Sequence, residues 1–136
     1  MEIKGKITIP GDKSISHRAL MFAALAEGES RISNLSTGVD VQSTRKCLEA
    51  CGIKIRNDRN DVIVKGRKFS DPIEPLDCGN SGTTTRLLLG LLAGQGINAT
   101  FVGDKSLSAR PMNRILEPLF QMGLKCESHD GKLPIT

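Results

Sequence analysis

GDKSISHRAL, residues 11–20, returns in altered form as GDKSLSARPM at residues 103–112. Gly, Asp, Lys, Ser, a second Ser and an Arg stand at matching places in the two strings. The first string runs on into HRALMFAALA, residues 17–26, apolar on nearly every face after Arg18. Such a pattern predicts a helix buried all round, stopped at Glu27-Gly28. Ahead of it, Ile3, Ile7 and Ile9 stand among polar neighbours and predict a strand over Met1 to Ile9, ended by Pro10-Gly11.

The rest of the chain extends the same plan. A short strand is expected near Arg31 to Leu35. Asp40 to Cys51 places Val41, Thr44, Leu48 and Cys51 at helical spacing with charges opposite, which predicts a half-exposed helix. Asp40 is its expected N-cap, and Gly52 stands at the position after the C-cap. IKIRN and DVIVKG read as two strands about a turn near Asp58 to Asn60. Arg67 to Pro75, with two prolines, reads as a linker. Thr83 to Ala93 is then a second nearly all-apolar helix, Ile97 to Val102 a strand, and Pro111 to Met122 a second amphipathic helix ending at Gly123. Pro111 suits a first turn, whereas Pro118 predicts a bend or an interruption. LKCES and KLPIT form a last hairpin about Asp130-Gly131.

Aligned, the halves coincide: Arg18 falls on Arg86, Gly28 on Gly96, and Gly52 on Gly123 with three inserted residues. The repeat unit is βαβαββ, and the fold class is α/β (α+β type). One partial domain spans 1–136, with an opening strand at 1–10, a first unit at 11–70 and a second at 76–136.

Composition narrows the function. The chain has 136 residues, about one domain, and no apolar leader stretch at its start. Its longest apolar run, Leu87 to Gly94, is too short to span a bilayer. The expectation is a cytoplasmic protein. Cys47, Cys51, Cys78 and Cys126 match no zinc-site spacing and read as buried free thiols. A net charge of +4 favours anionic partners. With no Trp, no Tyr and four Phe, stacking platforms for nucleic acid are lacking. Small phosphorylated ligands fit better, and nothing suggests a metal or cofactor.

A Ser/Thr/Gly-rich turn precedes each apolar helix, as GDKSISHR and as CGNSGTTTR. The first four N–H groups of a helix lack partners, and the dipole adds positive charge there. Glycine lets a ligand reach the backbone, and Lys or Arg adds full charge, so each turn can bind an anion. Lys13, Ser14 and Arg18 form one such cluster. Asn80, Gly82 and Arg86 form another, with Arg110 as a third arm. Each turn can equally be a plain capped helix start, and His17 reads as a local hydrogen-bonding residue. GDKS is not a P-loop, because no glycine directly precedes the lysine.

GDKSISHRA, GNSGTTTR and ARPM together closely resemble the 5-enolpyruvylshikimate-3-phosphate synthase family, and the resemblance covers the whole chain in order. It implies transfer of the enolpyruvyl group of phosphoenolpyruvate to the 5-hydroxyl of shikimate 3-phosphate, through a tetrahedral adduct, with release of phosphate and no cofactor. It implies that Lys13 lies between both substrates and is the one catalytic candidate. Ser14 and Arg18 would contact shikimate 3-phosphate, while Asn80, Gly82 and Arg110 would serve phosphoenolpyruvate. Glyphosate competes for that pocket in the family. Neither nucleic acid nor membrane is implied as a partner.

Family members are longer and have two domains, the first with three βαβαββ units. The resemblance therefore implies an N-terminal fragment that needs the remaining C-terminal part and does not turn over alone. The opening strand would belong to the other domain. Two other readings stay open. A UDP-N-acetylglucosamine enolpyruvyl transferase has Asn where Ser14 stands, and a reactive Cys where Lys105 stands. A non-catalytic anion- or RNA-binding module could use similar repeats.

Overall fold

A computed structural model describes residues 3–136. Its elements keep the order of the repeat. The first unit is α1 (Lys13–Leu25), β1 (Gly28–Ser33), α2 (Val39–Ala50), β2 (Lys54–Asp58) and β3 (Asp61–Gly66). The second is β4 (Leu76–Asp77), α3 (Gly82–Gly94), β5 (Phe101–Val102), α4 (Lys105–Ser108), α5 (Asn113–Gln121), β6 (Ser128–His129) and β7 (Lys132–Ile135).

Two small sheets result. The first has the order β1-β3-β2, antiparallel throughout. The second has the order β4-β5-β7-β6, with β4 parallel to β5 and the other pairs antiparallel. The sheets correspond strand for strand, except that β1 has no neighbour in the place β4 takes beside β5 among the described residues. The expected opening strand is not formed over residues 3–9, and Met1 and Glu2 lie outside the described residues. Ile3, Ile7 and Ile9 are all exposed. Alternation marks a segment that can be a strand, but a strand also needs a neighbour for its ladder.

The helices pack on one another and on the sheets. Leu20 and Ala24 of α1, Val41 and Leu48 of α2, Val64 of β3, and Leu88 and Leu92 of α3 share one core. Each Leu buried there contributes roughly 1.5–3 kcal/mol. The stripe expected on α2 is buried as read: Val41, Thr44, Leu48 and Cys51 all face inward. Its end is a Schellman turn, with Gly52 at φ 90°, Gly52 N–H on Glu49 O and Ile53 N–H on Leu48 O. Gly123 closes α5 in the same way at φ 99°.

Other expectations are corrected. α1 and α3 are not buried all round: Phe22 is 67% exposed, and Leu25 and Leu87 are also exposed. The N-cap of α2 is Gly38, and Asp40 sits one residue inside the helix. Its carboxylate accepts from Lys13 instead. Pro111 lies ahead of α5, because the four-residue helix α4 takes up the second polar string. Pro118 is accommodated within α5. It and Arg114, the residue four positions before it, are both exposed, so water can satisfy the carbonyl that loses its donor.

The cysteines are free thiols, three buried and Cys126 half-buried. A hydrogen bond with Cys78, and then burial, push the Cys47 thiol far above its ordinary range. Burial pushes Cys51 up to about 11. No helix of the described residues is long and apolar enough to cross a membrane.

Candidate anion-binding site at converging helix ends

The repeated GDKS string has a local explanation. Asp12 caps α1, its Oδ1 accepting from Ile15 N–H at 2.7 Å. Asp104 caps α4 identically, accepting from Leu107 N–H at 2.7 Å. The glycine before each cap sits where a side chain will not fit. A Cβ on Gly11 would meet the Asn34 backbone, and one on Gly103 would lie 2.5 Å from Leu107 Cδ2 and 3.0 Å from Gly79 O. Gly-Asp thus encodes a tightly packed, capped helix start in both copies.

The lysines after these caps differ in setting. Lys13 Nζ donates to Asp40 Oδ2 at 2.9 Å. Lys105 is exposed and forms no salt bridge or hydrogen bond among the described residues. Asp40 lies in the first turn of α2, where a carboxylate complements the helix dipole. Its backbone carbonyl also accepts from Thr84 Oγ1 at 3.2 Å. Asp40 therefore touches the first turns of both α1 and α3, and three helix N-termini converge on it.

The start of α3 brings two arginines together. Ser81 caps it, accepting from Thr84 N–H at 3.1 Å. The position a Cβ would take on Gly82 lies 2.6 Å from Arg86 Nη1 and 3.2 Å from Arg110 Nη1. Two guanidiniums, from α3 and from the turn before α5, thus close over one bare stretch of backbone. Neither forms a salt bridge among the described residues; Arg86 Nη2 donates to Pro111 O at 3.4 Å. Bringing two cations together without a carboxylate between them costs energy that an anion would offset.

Ser14 and Arg18 are exposed, and four residues apart they share a face of α1. Arg18 makes no ion pair or hydrogen bond among the described residues. Asn80 is differently occupied from its expected role: Nδ2 donates to both Asp104 oxygens, at 3.0 and 2.7 Å. Asp104 is held below the usual carboxylate range by the Leu107 N–H, then by Asn80, with a smaller contribution from the charge of Arg110. His17 is fully buried, and its Nδ1 lies 2.7 Å from Thr44 Oγ1.

Sequence reading missed Asp40 as the partner of Lys13, because it took that residue for a cap. It also missed Asp104 as a cap, although the repeat itself was the available signal. A groove of about 640 Å³ is a different place. Leu89, Leu92, Phe101, Phe120 and Ile135 line it, with Lys125 and Glu127 among the polar residues beside them.

Fold and site together define an α/β repeat protein in which three helix N-termini converge and two arginines meet over Gly82, a candidate site for small anions. Comparison with known proteins specifies this further. Residues 1–136 match the family model described as EPSP synthase (3-phosphoshikimate 1-carboxyvinyltransferase). A protein of that name from Bacillus licheniformis is 48% identical over 132 residues, covering 95% of this chain and 31% of its own length. Its counterpart from Streptococcus uberis is 50% identical over 139 residues, covering 98% and 33%. The solved structure of the Acinetobacter baumannii EPSP synthase superposes with a TM-score of 0.90 at 39% identity, covering 96% of this chain and 31% of that one. The chain belongs to the EPSP synthase family, and it spans about a third of the length of these relatives.

Proposed function

We propose that this chain supplies one wall of a cytoplasmic enolpyruvyl transfer site, in which phosphoenolpyruvate reacts with the 5-hydroxyl of shikimate 3-phosphate and phosphate leaves. One observation carries the reading: Arg86 and Arg110 meet over Gly82 at a helix N-terminus that reaches Lys13 through Asp40. Both substrates carry a phosphate and a carboxylate. Their union crowds negative charge, so the site must be cationic. Charge-assisted hydrogen bonds of roughly 1.5–3 kcal/mol each offset that repulsion.

In this reading the arginine pair grips phosphoenolpyruvate, because a planar fork suits phosphate and carboxylate. Gly82 leaves the backbone open to it. Ser14 and Arg18, on one face of α1, hold the shikimate phosphate. Lys13 is a point charge between the two ligands, suited to stabilise the adduct or move a proton. Asn80 acts through Asp104, fixing the turn that carries Arg110, and is better assigned to support than to direct contact. The remaining cations and the acid/base groups come from the part of the enzyme beyond this third. We place the chain in the first domain of a two-domain enzyme and expect no turnover by it alone.

The test is an amide NMR titration of the chain with shikimate 3-phosphate, using Arg18→Ala as control. Saturable shifts from Lys13 to Arg18, lost in the variant, are the expected result. Shifts that persist unchanged in Arg18→Ala overturn the assignment of that arginine. Measurable phosphate release by the isolated chain overturns the expectation that it is inactive alone.

A further inference from the structure

The buried polar residues beneath the site form a connected line. His17 Nδ1 is 2.7 Å from Thr44 Oγ1, which is 2.7 Å from Thr84 Oγ1. Thr84 Oγ1 is 2.7 Å from Ser81 Oγ and 3.2 Å from the Asp40 carbonyl. His17, Thr44, Ser81 and Thr84 are all buried, and His17 Nε2 is buried with no partner among the described residues. The line runs from α1, across α2, to the cap of α3.

Counting protons gives the line a direction. Each hydroxyl has one proton. The Asp40 carbonyl can only accept, so the Thr84 proton goes there. Ser81 Oγ shares that proton as the second acceptor of Thr84 Oγ1, which in turn accepts from Thr44. The Thr44 proton being spent, His17 Nδ1 must carry the proton of its bond to Thr44. Nε2 is left as a bare acceptor. The opposite order would leave a buried N–H without a partner, the rarer and costlier defect, and would forfeit the Asp40 contact.

We infer that His17, as its Nδ1–H tautomer, forms with Thr44 and Thr84 a directed hydrogen-bond chain that fixes the start of α1 against the start of α3, making His17 a positioning residue for the two anion-binding helix ends. His17 lies one helical turn after Lys13, so the chain is anchored beside the lysine at one end and beside Gly82 at the other. Lys13 on α1 and Asp40 on α2 are the charged groups that act on His17. Burial lowers its pKa, which keeps it neutral at pH 7 and makes the tautomer meaningful. The positioning role rests on the proposed reading of the two helix ends; the proton order does not.

Two measurements on this chain test the inference. Long-range proton–nitrogen NMR of the His17 ring at pH 7 should show Nδ1 protonated and Nε2 bare. The reverse tautomer overturns the directed chain, whether or not any ligand binds. In the shikimate 3-phosphate titration, the wild type should shift amides at both 13–18 and 81–86. Thr44→Val should retain the first set and lose most of the second, and Thr44→Ser, which keeps the hydroxyl, should restore it. Thr44→Val with both sets intact, or Thr44→Ser behaving like Thr44→Val, overturns the positioning role. Absence of any shift at 13–18 in the wild type removes the shikimate 3-phosphate assignment and the positioning role together, while the ring tautomer still decides the proton order.

Discussion

On the proposed reading, Gly82→Ala should separate phosphoenolpyruvate from shikimate 3-phosphate. The new Cβ would lie 2.6 Å from Arg86 Nη1 and 3.2 Å from Arg110 Nη1, where ordinary contact begins near 3.4 Å. Arg86 must therefore withdraw by about 0.8 Å, and Arg110 by about 0.2 Å. Both atoms end flexible side chains, so they can move, and the fold does not suffer. Gly82 is the first residue of α3, and its φ lies outside the positive range that favours glycine. Alanine is a better helix former by up to about 1 kcal/mol, so stability should hold or rise. Binding should fall instead. One charge-assisted hydrogen bond, worth roughly 1.5–3 kcal/mol, corresponds to about ten- to a hundredfold in affinity.

The expected result is a loss of about tenfold or more for phosphoenolpyruvate and for glyphosate, with shikimate 3-phosphate little changed. Isothermal titration on the complete enzyme, with urea unfolding in parallel, reads both quantities. An equal loss for all three ligands would refute the placement of the arginine pair on phosphoenolpyruvate. A drop in stability without a selective loss would show that Gly82 serves packing alone.

Three further outcomes rest on single contacts. Asp12→Ala should lower stability by about 1 kcal/mol in urea, with Asp12→Asn nearly neutral, because both Asp and Asn cap well; equal loss in both would argue against the cap. Asp40→Asn breaks an exposed ion pair and should change stability by under about 1 kcal/mol, while tightening phosphate binding by removing a negative charge from the site. Weaker binding would show that Asp40 is needed to aim Lys13. His17 has its folded pKa below 6.5, so the unfolded chain takes up its proton first. Stability should be insensitive to His17 above pH 6.5, fall as pH drops below it, and level off below the folded pKa. His17→Asn should remove that part of the pH dependence, and an unchanged slope would show that other groups cause it.

Much of this was legible in the sequence, for identifiable reasons. The α2 stripe and the glycines at 52 and 123 were read correctly because periodicity and helix-ending chemistry are local. Hairpin β2–β3 was read from its turn, as was the turn at Asp130-Gly131, but of the strand expected over LKCES only Ser128 falls in β6. The opening strand and the all-round burial of α1 and α3 were not, since both depend on neighbours that sequence pattern does not supply. Phe22 and Leu87 have the side chains of buried residues but face outward here. The site residues were named from clusters before helices, and the structure joins them in part. Gly82, Arg86 and Arg110 do meet. Asn80 turns instead to Asp104, and Asp40 exchanges its expected capping role for Lys13.

Asp40 offsets positive charge where the three helix N-termini converge. Three helix N-termini and several cations pointing at one another would repel. A carboxylate in the first turn of α2 complements that dipole and holds Lys13 at 2.9 Å, while its backbone carbonyl takes the Thr84 hydroxyl. Arg86 and Arg110, across the start of α3, have no such carboxylate in a salt bridge among the described residues. Lys13 is thus paired, whereas Arg18, Arg86 and Arg110 form no salt bridge among the described residues, and Asp104 acts on Arg110 only through its charge. On the proposed reading, an anion gains most where Arg86 and Arg110 meet, and Lys13 is the cation that Asp40 can release to one. That asymmetry, and not a repeated function, separates the two halves of a repeated chain.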